Sequence, residues 1–541
     1  MPSVLVIIPA RGGSKGIPRK NLRPLNGKPL LHYAIHLALL SKYKPHVVVT
    51  TDDEEIGYFA TQLGATVHYR DNALGDDDVT LDPVIYEAYV KTVERTNKAY
   101  DIVATLQPTA PLLSVLSFDG AIQRLGNKDI DTIISVGEEK YLTWQKRGEV
   151  FMPLYEARVN HRLLPKMYRE TGGFLISRAE SISNDSRIGS RVDLYVVPQE
   201  EAIDIDTHAD WSICEYLLRR KTVLFCVSGY PEIGLGHVYN CLILANEILD
   251  HRIVFLVDSK SQLAFDKISE SNYEVHIQTS EDIIDDISSL SPAVVINDRL
   301  DTTEDYIRAL KSRAFKVVNI EDLGTGARHA DMVFNAIYPE AEALPGHFVG
   351  SNYFCARDEF YLLKQKQFSN DVKSILITFG GVDPNNLTQK TLDAIYDHCV
   401  KAGIKITVVL GLGYKKEESL KRFLNVEISR NSKRISQFMQ EADIAFSSAG
   451  RTIYELALTH TPSIIMAQND RELSHVFAER KNGFLHLGLG SVLTRDAIQH
   501  AFLELVSQTA VRKQLFDSMN EIDLRSGKSR VVKLLKDLIA K

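Results

Sequence analysis

The chain has 541 residues, 44% hydrophobic and 25% charged, with a formal net charge of -7. That length predicts two or more domains at roughly 100–200 residues each, and the composition permits a full core in each. The acidic balance argues against a general nucleic-acid surface, and the five scattered cysteines (Cys214, Cys226, Cys241, Cys355 and Cys399, with no CxxC) fit reduced thiols, not a disulfide frame or a zinc site.

The N-terminal MPSVLVIIPA lacks the basic start and small-residue cleavage site of a signal peptide, and no apolar run is long enough to span a bilayer. A cytoplasmic location without a membrane partner is expected. The HExxH, Walker P-loop and GxGxxG patterns are absent from the sequence. Strand-like β-branched runs at Val4–Ile8, His46–Thr50, Thr66–Tyr69, Ile102–Leu106 and Thr132–Val136 alternate with helical patterns at Pro29–Leu40, Glu54–Leu63 and Leu81–Glu94. Such alternation predicts an α/β fold with a mainly parallel sheet, whose ligands sit at the carboxyl ends of the strands. A helical stretch, Ala209–Arg220, precedes a fresh strand at Thr222–Ser228, so a first domain is expected over 1–220 and a second over 221–541. The second alternates again, with strands at Ile253–Asp258, Ala293–Asp298, Lys316–Ile320, Ser374–Phe379, Ile406–Leu410, Ile444–Ser447 and Ser463–Met466. The rhythm breaks around 339–360, which predicts two lobes, about 221–345 and 365–541, with a cleft.

The segment Ala10-Arg11-Gly12-Gly13-Ser14-Lys15-Gly16-Ile17-Pro18-Arg19-Lys20-Asn21 leaves the first strand. Its glycines let backbone N–H groups approach a ligand, and Arg11, Lys15, Arg19 and Lys20 add positive charge. A glycine-rich basic loop at a strand end suits a triphosphate; a solvated basic turn is the plainer reading. Farther on, alternation in a strand would put Asp204 and Asp206 on one face, with Ile203 and Ile205 opposite. Two such carboxylates suit Mg²⁺ or form a solvated edge pair. Asp52 and Asp53 suit a helix N-cap.

The loop resembles the opening PARGGSKGIPxKN signature of the sialic acid cytidylyltransferases, including the pseudaminic and legionaminic acid enzymes. Thr50–Ile56, Arg70, Leu106–Leu112 (LQPTAPL) and Ile203–Thr207 match that family in order, over about residues 1–215. The resemblance implies a Rossmann-like nucleotidyltransferase domain that joins CMP from CTP to a nine-carbon sugar acid (a nonulosonate). It implies catalytic roles for Arg11, Lys15 and Asp206, and nucleotide contacts from Ala10, Gly12, Gly13, Ser14, Asn21 and Arg70. Gln107 would meet the sugar acid, and Asp204 and Asp206 would hold Mg²⁺. Departures fall on the sugar side: Arg162 and Thr171 replace a Gln and an Asn, and Leu113 stands where Arg is common.

The second part opens with Ser228-Gly229-Tyr230-Pro231-Glu232-Ile233-Gly234-Leu235-Gly236-His237. Glycines before a helix start offer an anion pocket, and the positive helix end is expected to depress the His237 pKa, which suits a general base. Capping or packing is the commoner role for a lone histidine there. Gly450, Arg451 and Thr452 open a helix whose N–H groups suit a diphosphate, and Glu455 suits ribose hydroxyls or a salt bridge. These strings, with Ile320–Leu323, Ala330–Asn335 and Phe379–Thr388, resemble the UDP-sugar hydrolase of pseudaminic acid biosynthesis, a GT-B-like protein, over about 222–520. That implies a UDP-linked diacetamido sugar as substrate and a catalytic His237. The family's GxGHxxR reads GLGHVYN, with Asn240 for the arginine, and its GGTT turn carries Arg451. A nucleotide-sugar-binding module and a glycosyltransferase stay open for this part, as does a homo-oligomer.

Overall fold

The computed structural model describes residues 1–13, 16–75, 79–126, 129–338, 344–430 and 432–541. The chain divides into two compact units, Met1–Arg220 and Lys221–Lys541.

Among the described residues, the first unit is built on a seven-stranded sheet. Its order is Val192–Val196, Thr132–Glu139, Met167–Arg178, Ile102–Leu106, Val4–Pro9, His46–Thr51 and Thr66–Tyr69. All pairings are parallel except those of Met167–Arg178, which runs antiparallel to both neighbours. Val4–Ile8 are all buried because the central strand is covered on both faces. Val6 and Ile8 pack under the helix Leu30–Leu40, while Leu5 and Ile7 meet the face carrying Ile85 and Ala88 from helix Leu81–Thr96. The antiparallel strand is interrupted: its register shifts between Glu170 and Leu175, and Gly172 there takes φ +67°. This bulge turns residues 171–174 toward the carboxyl end of Ile102–Leu106, and Gln107 N–H donates to Gly173 O at 3.4 Å.

The second unit holds two parallel sheets covered by helices, the GT-B-like arrangement expected. The first, in order Glu274–Ile277, Arg252–Val257, Thr222–Val227, Val294–Asp298, Lys316–Ile320, Met332–Asn335 and His347–Val349, is parallel throughout. The second runs Val426–Arg430, Lys405–Leu410, Ser374–Thr378, Ile444–Ser447, Ser463–Ala467 and Phe484–Leu489, also parallel. Chain order and lobe membership part company at the C-terminus. The last helix, Gly527–Ala540, packs Val531, Leu535 and Ile539 into the core of the first lobe, beside Val223 and Phe255. Lys221 and Lys316 donate to carbonyls at the end of that helix, where its dipole is negative. The range 365–541 therefore does not form the second lobe alone. The connecting stretch that carries Ala336, Ile337, Phe354 and Phe360 packs instead with the second lobe.

Candidate functional site

In the first unit the loop after Val4–Pro9 is held by its own backbone and two neighbours. Ala10 N–H donates to Thr50 O at 3.0 Å, and the Asn21 amide nitrogen donates to Arg11 O at 3.0 Å. Gly12 N–H donates to Asp52 Oδ1 at 3.3 Å. The buried Arg70 donates to that same oxygen at 3.2 Å and to Thr50 O at 3.1 Å. Arg70 thus braces Asp52 beneath the loop, and its guanidinium is mostly enclosed. Asp53 caps the helix Glu54–Gln62, accepting from Glu55 and Ile56 N–H.

The glycines divide their labour. A Cβ at Gly12 would stand 2.5 Å from Asp53 Oδ2, and one at Gly16 2.8 Å from Asp206 O, so both positions need glycine for close packing. Among the described residues nothing lies within 4 Å of a Cβ built on Gly13. Ser14 and Lys15 lie outside the described residues. Arg11 has contacts within the protein, and Arg19 turns away to pair with Glu55.

Residues 203–206 are irregular, not the expected strand. Ile203 and Ile205 still point inward, because they pack with Trp211, Leu25 and Leu30; side-chain packing enforces the alternation without a ladder. Lys20 ties the loop to this segment, donating to Ile205 O at 2.7 Å and lying 3.4 Å from Asp206 Oδ1. The Asp206 side chain is 76% exposed. Asp204 is half-buried, and its Oδ1 has no hydrogen-bond partner. Burial pushes its pKa up, the nearby Thr109 hydroxyl opposes this from outside bonding geometry, and Asp206 raises it further. A Cβ on Gly172 would lie 2.9 Å from Asp204 Oδ2 and 3.4 Å from Gln107 Nε2. Gln107, Asp204 and the bulge at Gly172 therefore converge.

An unsatisfied buried carboxylate oxygen beside an exposed second carboxylate fits Mg²⁺, which commonly takes one or two carboxylates and completes its shell with water and substrate phosphates. Among the described residues no group of three or more His, Cys, Asp or Glu forms an all-protein cage. Of the sugar-side departures, Thr171 is buried and bonded to Ser135 Oγ at 2.9 Å, Leu113 packs near Gly173, and Arg162 is exposed. Lys20 and Asp52 were each visible in the sequence as a charge or a cap; their tying and bracing roles come from chain segments far apart.

In the second unit His237 lies in the first turn of helix Gly236–Asn246. Its Nδ1 is 2.5 Å from Oδ1 of Asp298, the buried last residue of Val294–Asp298. Asn240, one turn on, donates from Nδ2 to Asp298 Oδ2 at 2.8 Å. The expected depression of the His237 pKa is reversed. Burial does work against the charged ring, but the Asp298 and Glu321 carboxylates raise the pKa above its ordinary value. Two nearby formal charges outweigh the half-charge of a helix end. Asp298 was missed by sequence reasoning; its signal was a carboxylate closing an apolar run next to the first strand, where such sheets bind ligands.

The second lobe contributes Arg451, which pairs with Glu321, donates to Asn240 Oδ1 at 3.0 Å and lies 4.9 Å over the Phe354 ring. The helix it precedes, Thr452–Leu458, is short. Glu472 accepts from Ala449 N–H at 3.2 Å and from Gln468 N–H at 2.7 Å, so a carboxylate already stands beside Gly450. Arg451 is therefore directed across the cleft, not along a row of free N–H groups. Glu455 pairs with Arg357 at 2.9 Å, the salt-bridge reading of that residue. Arg471 adds a second crossing, to Asp301 at 3.0 Å and Glu321 O at 2.9 Å. Among the described residues no helix is long and apolar enough to cross a membrane.

A family profile described as Cytidylyltransferase matches residues 5–168. The pseudaminic acid cytidylyltransferase of Campylobacter jejuni is 32% identical over 225 residues, which cover 40% of this chain and 96% of that protein. An uncharacterized protein of Methanocaldococcus jannaschii is 30% identical over 273 residues, 46% of this chain but only 56% of that relative's length. Among solved structures, Acinetobacter baumannii MurG is similar at 14% identity and TM-score 0.42, covering 59% of this chain and 99% of that one. With its basic glycine loop, its paired aspartates and a relative matched almost from end to end, the chain belongs, through its first unit, to the cytidylyltransferase family.

Proposed function

We propose that the first unit transfers CMP from CTP to a nonulosonic acid. A sugar hydroxyl gives up its proton to solvent as its oxygen bonds to the α-phosphorus, the bond from that phosphorus to the bridging oxygen breaks, and pyrophosphate leaves. The observation that carries this reading is the junction of loop 10–21 with residues 204–206 through Lys20, beside Gln107 and Gly172. Arg11 and Lys15, with the Gly12 and Gly13 backbone and Ser14, would hold the triphosphate and stabilise charge at the α-phosphate and departing pyrophosphate. Asn21 keeps the loop closed through Arg11 O, and Arg70 supports the nucleotide side through Asp52. Gln107 would orient the sugar acid. Mg²⁺ held by Asp204 and Asp206 would neutralise phosphate charge. The pseudaminic acid relative supports this substrate class. Pyrophosphate release from CTP and Mg²⁺ across sialic, pseudaminic, legionaminic and Kdn acids tests it. Release with one of them is expected, and silence with all four would overturn the reading.

For the second unit we propose hydrolysis of a UDP-linked diacetamido sugar, with His237 taking the proton of the attacking water as the bond from sugar to UDP breaks. The Asp298–His237 pair favours this over a binding module, because binding alone does not need a histidine held by a buried carboxylate. Gly450 and Thr452 would line the nucleotide side, with Glu455 held beside them by Arg357. A glycosyltransferase would instead pass the sugar to an acceptor hydroxyl. UDP release in water without an acceptor, lost in His237→Ala, separates the two.

A further inference from the structure

We propose that Arg451 is the cation of the His237 centre, supplied by the second lobe and matched to Asn240, so that this centre is complete only with the lobes together. The inference rests on the hydrolase reading of the second unit. Asn240 is buried at 4% exposure and uses both ends of its amide. Its nitrogen serves Asp298 at 2.8 Å, and its oxygen accepts from Arg451 at 3.0 Å. A carboxylate only accepts and a guanidinium only donates, so a primary amide is well suited to join them. Arg451 is held in place by the Phe354 ring, by Cys355 O at 3.4 Å and by Glu321.

The charges explain the pairing. His237 faces Asp298 and Glu321, two carboxylates buried on the first lobe, and Arg451 is the cation brought to them from the second. Leaving two buried carboxylates to a single imidazole would be costly. An arginine at position 240, where GLGHVYN departs from GxGHxxR, would bring a second guanidinium against Arg451. The two departures from the resembling pattern, Asn240 and Arg451, are hydrogen-bonded to one another. The positive charge that the resembling pattern places at position 240 stands here at Arg451, on the other lobe. Arg451 acts as a positioning residue: through Asn240 it fixes Asp298, and through Asp298 the ring of His237.

The test is a reciprocal exchange in the full-length protein: Arg451→Gly, Asn240→Arg and the double variant. Two readouts are followed, the His237 midpoint by ring-labelled NMR titration and UDP release from a UDP-diacetamido sugar. Removing Arg451 should raise the His237 midpoint, Asn240→Arg should lower it, and the double variant should return it toward wild type. Each single change should slow turnover by roughly 10²-fold with a displaced pH profile, and the double variant should recover at least about tenfold. An unmoved midpoint in Arg451→Gly, or a folded double variant no better than the worse single, would overturn the proposal. Should Arg451→Gly not fold, Arg451→Lys keeps the charge without the planar fork and must hold the wild-type midpoint while losing part of the rate. A wild type that cleaves no UDP-sugar defeats the hydrolase reading alone; the titration still decides Arg451.

Discussion

Position 172 carries two demands that only a glycine meets at once. Its φ of +67° lies in the left-handed region, and a Cβ there would stand 2.9 Å from Asp204 Oδ2. Alanine pays about 1–2 kcal/mol for that conformation before any collision. Gly172→Ala should therefore displace Asp204 and Gln107 and reduce CMP transfer by roughly tenfold or more. Gly13→Ala, in open space, should leave the sugar KM unchanged. Steady-state kinetics with CTP and sugar varied in turn reads both variants, and an unaltered sugar KM and kcat in Gly172→Ala would refute the convergence. His237 allows a prediction in pH. Its folded pKa is raised, so its stabilising contribution is full below the unfolded value and is lost as pH rises through the folded value. The melting-temperature advantage of wild type over His237→Gln should be largest at pH values below the ordinary histidine range and shrink as pH rises above it. An advantage that grows with pH would reverse the assignment. At this scale the loop residues could be singled out as a glycine-rich basic string, which on composition alone also suited a solvated turn. Asp298 and Glu321 could not, since their meaning comes from His237 and Arg451, far off in sequence.

Among the elements, the strands were legible to within a few residues: a buried parallel strand is a short β-branched run, and the observed Ile102–Leu106, Lys316–Ile320 and Ile444–Ser447 coincide with those read from the sequence, as does the half-buried edge strand Thr66–Tyr69. Irregular segments were harder. Ile203–Asp206 has the alternation of a strand because Ile203 and Ile205 are drawn into the cluster around Trp211. The bulge at 171–174 has no composition signal beyond its two glycines, yet it brings Gly172 against Asp204 and Gln107. The junction between loop and aspartate segment rests on Lys20, whose side chain is only 16% exposed. Lys20→Met keeps the stem and removes both contacts. It should cost about 1–2 kcal/mol of stability from the lost charge-assisted bond to Ile205 O. CMP transfer should fall further than Arg19→Met makes it fall, because Arg19 pairs outward with Glu55. Equal losses in the two variants, measured by pyrophosphate release and thermal melting, would remove Lys20 from the site.

Across the whole chain, domain order does not follow lobe order. The first unit ends at Arg220 and the second begins at Lys221, but the first lobe of that second unit is finished only by the last helix. Val531, Leu535 and Ile539 are 0–1% exposed there. At about 1.5–3 kcal/mol for each fully buried side chain, their removal would cost on the order of 5–9 kcal/mol. That rivals the whole stability of an ordinary domain, about 5–15 kcal/mol. Ending the chain after Asn520 should therefore unfold the first lobe and abolish anything done by His237, although that residue lies 283 positions upstream of the cut. Among the described residues the core clusters of the first unit contain only first-unit side chains, so pyrophosphate release should survive the same truncation. Limited proteolysis and calorimetry on the truncated protein check both halves. Loss of the first lobe's transition, with that of the first unit retained, is the expected result. Two intact transitions would mean that the helix is an ornament, and loss of CTP-dependent release would mean that the units depend on one another for their folding.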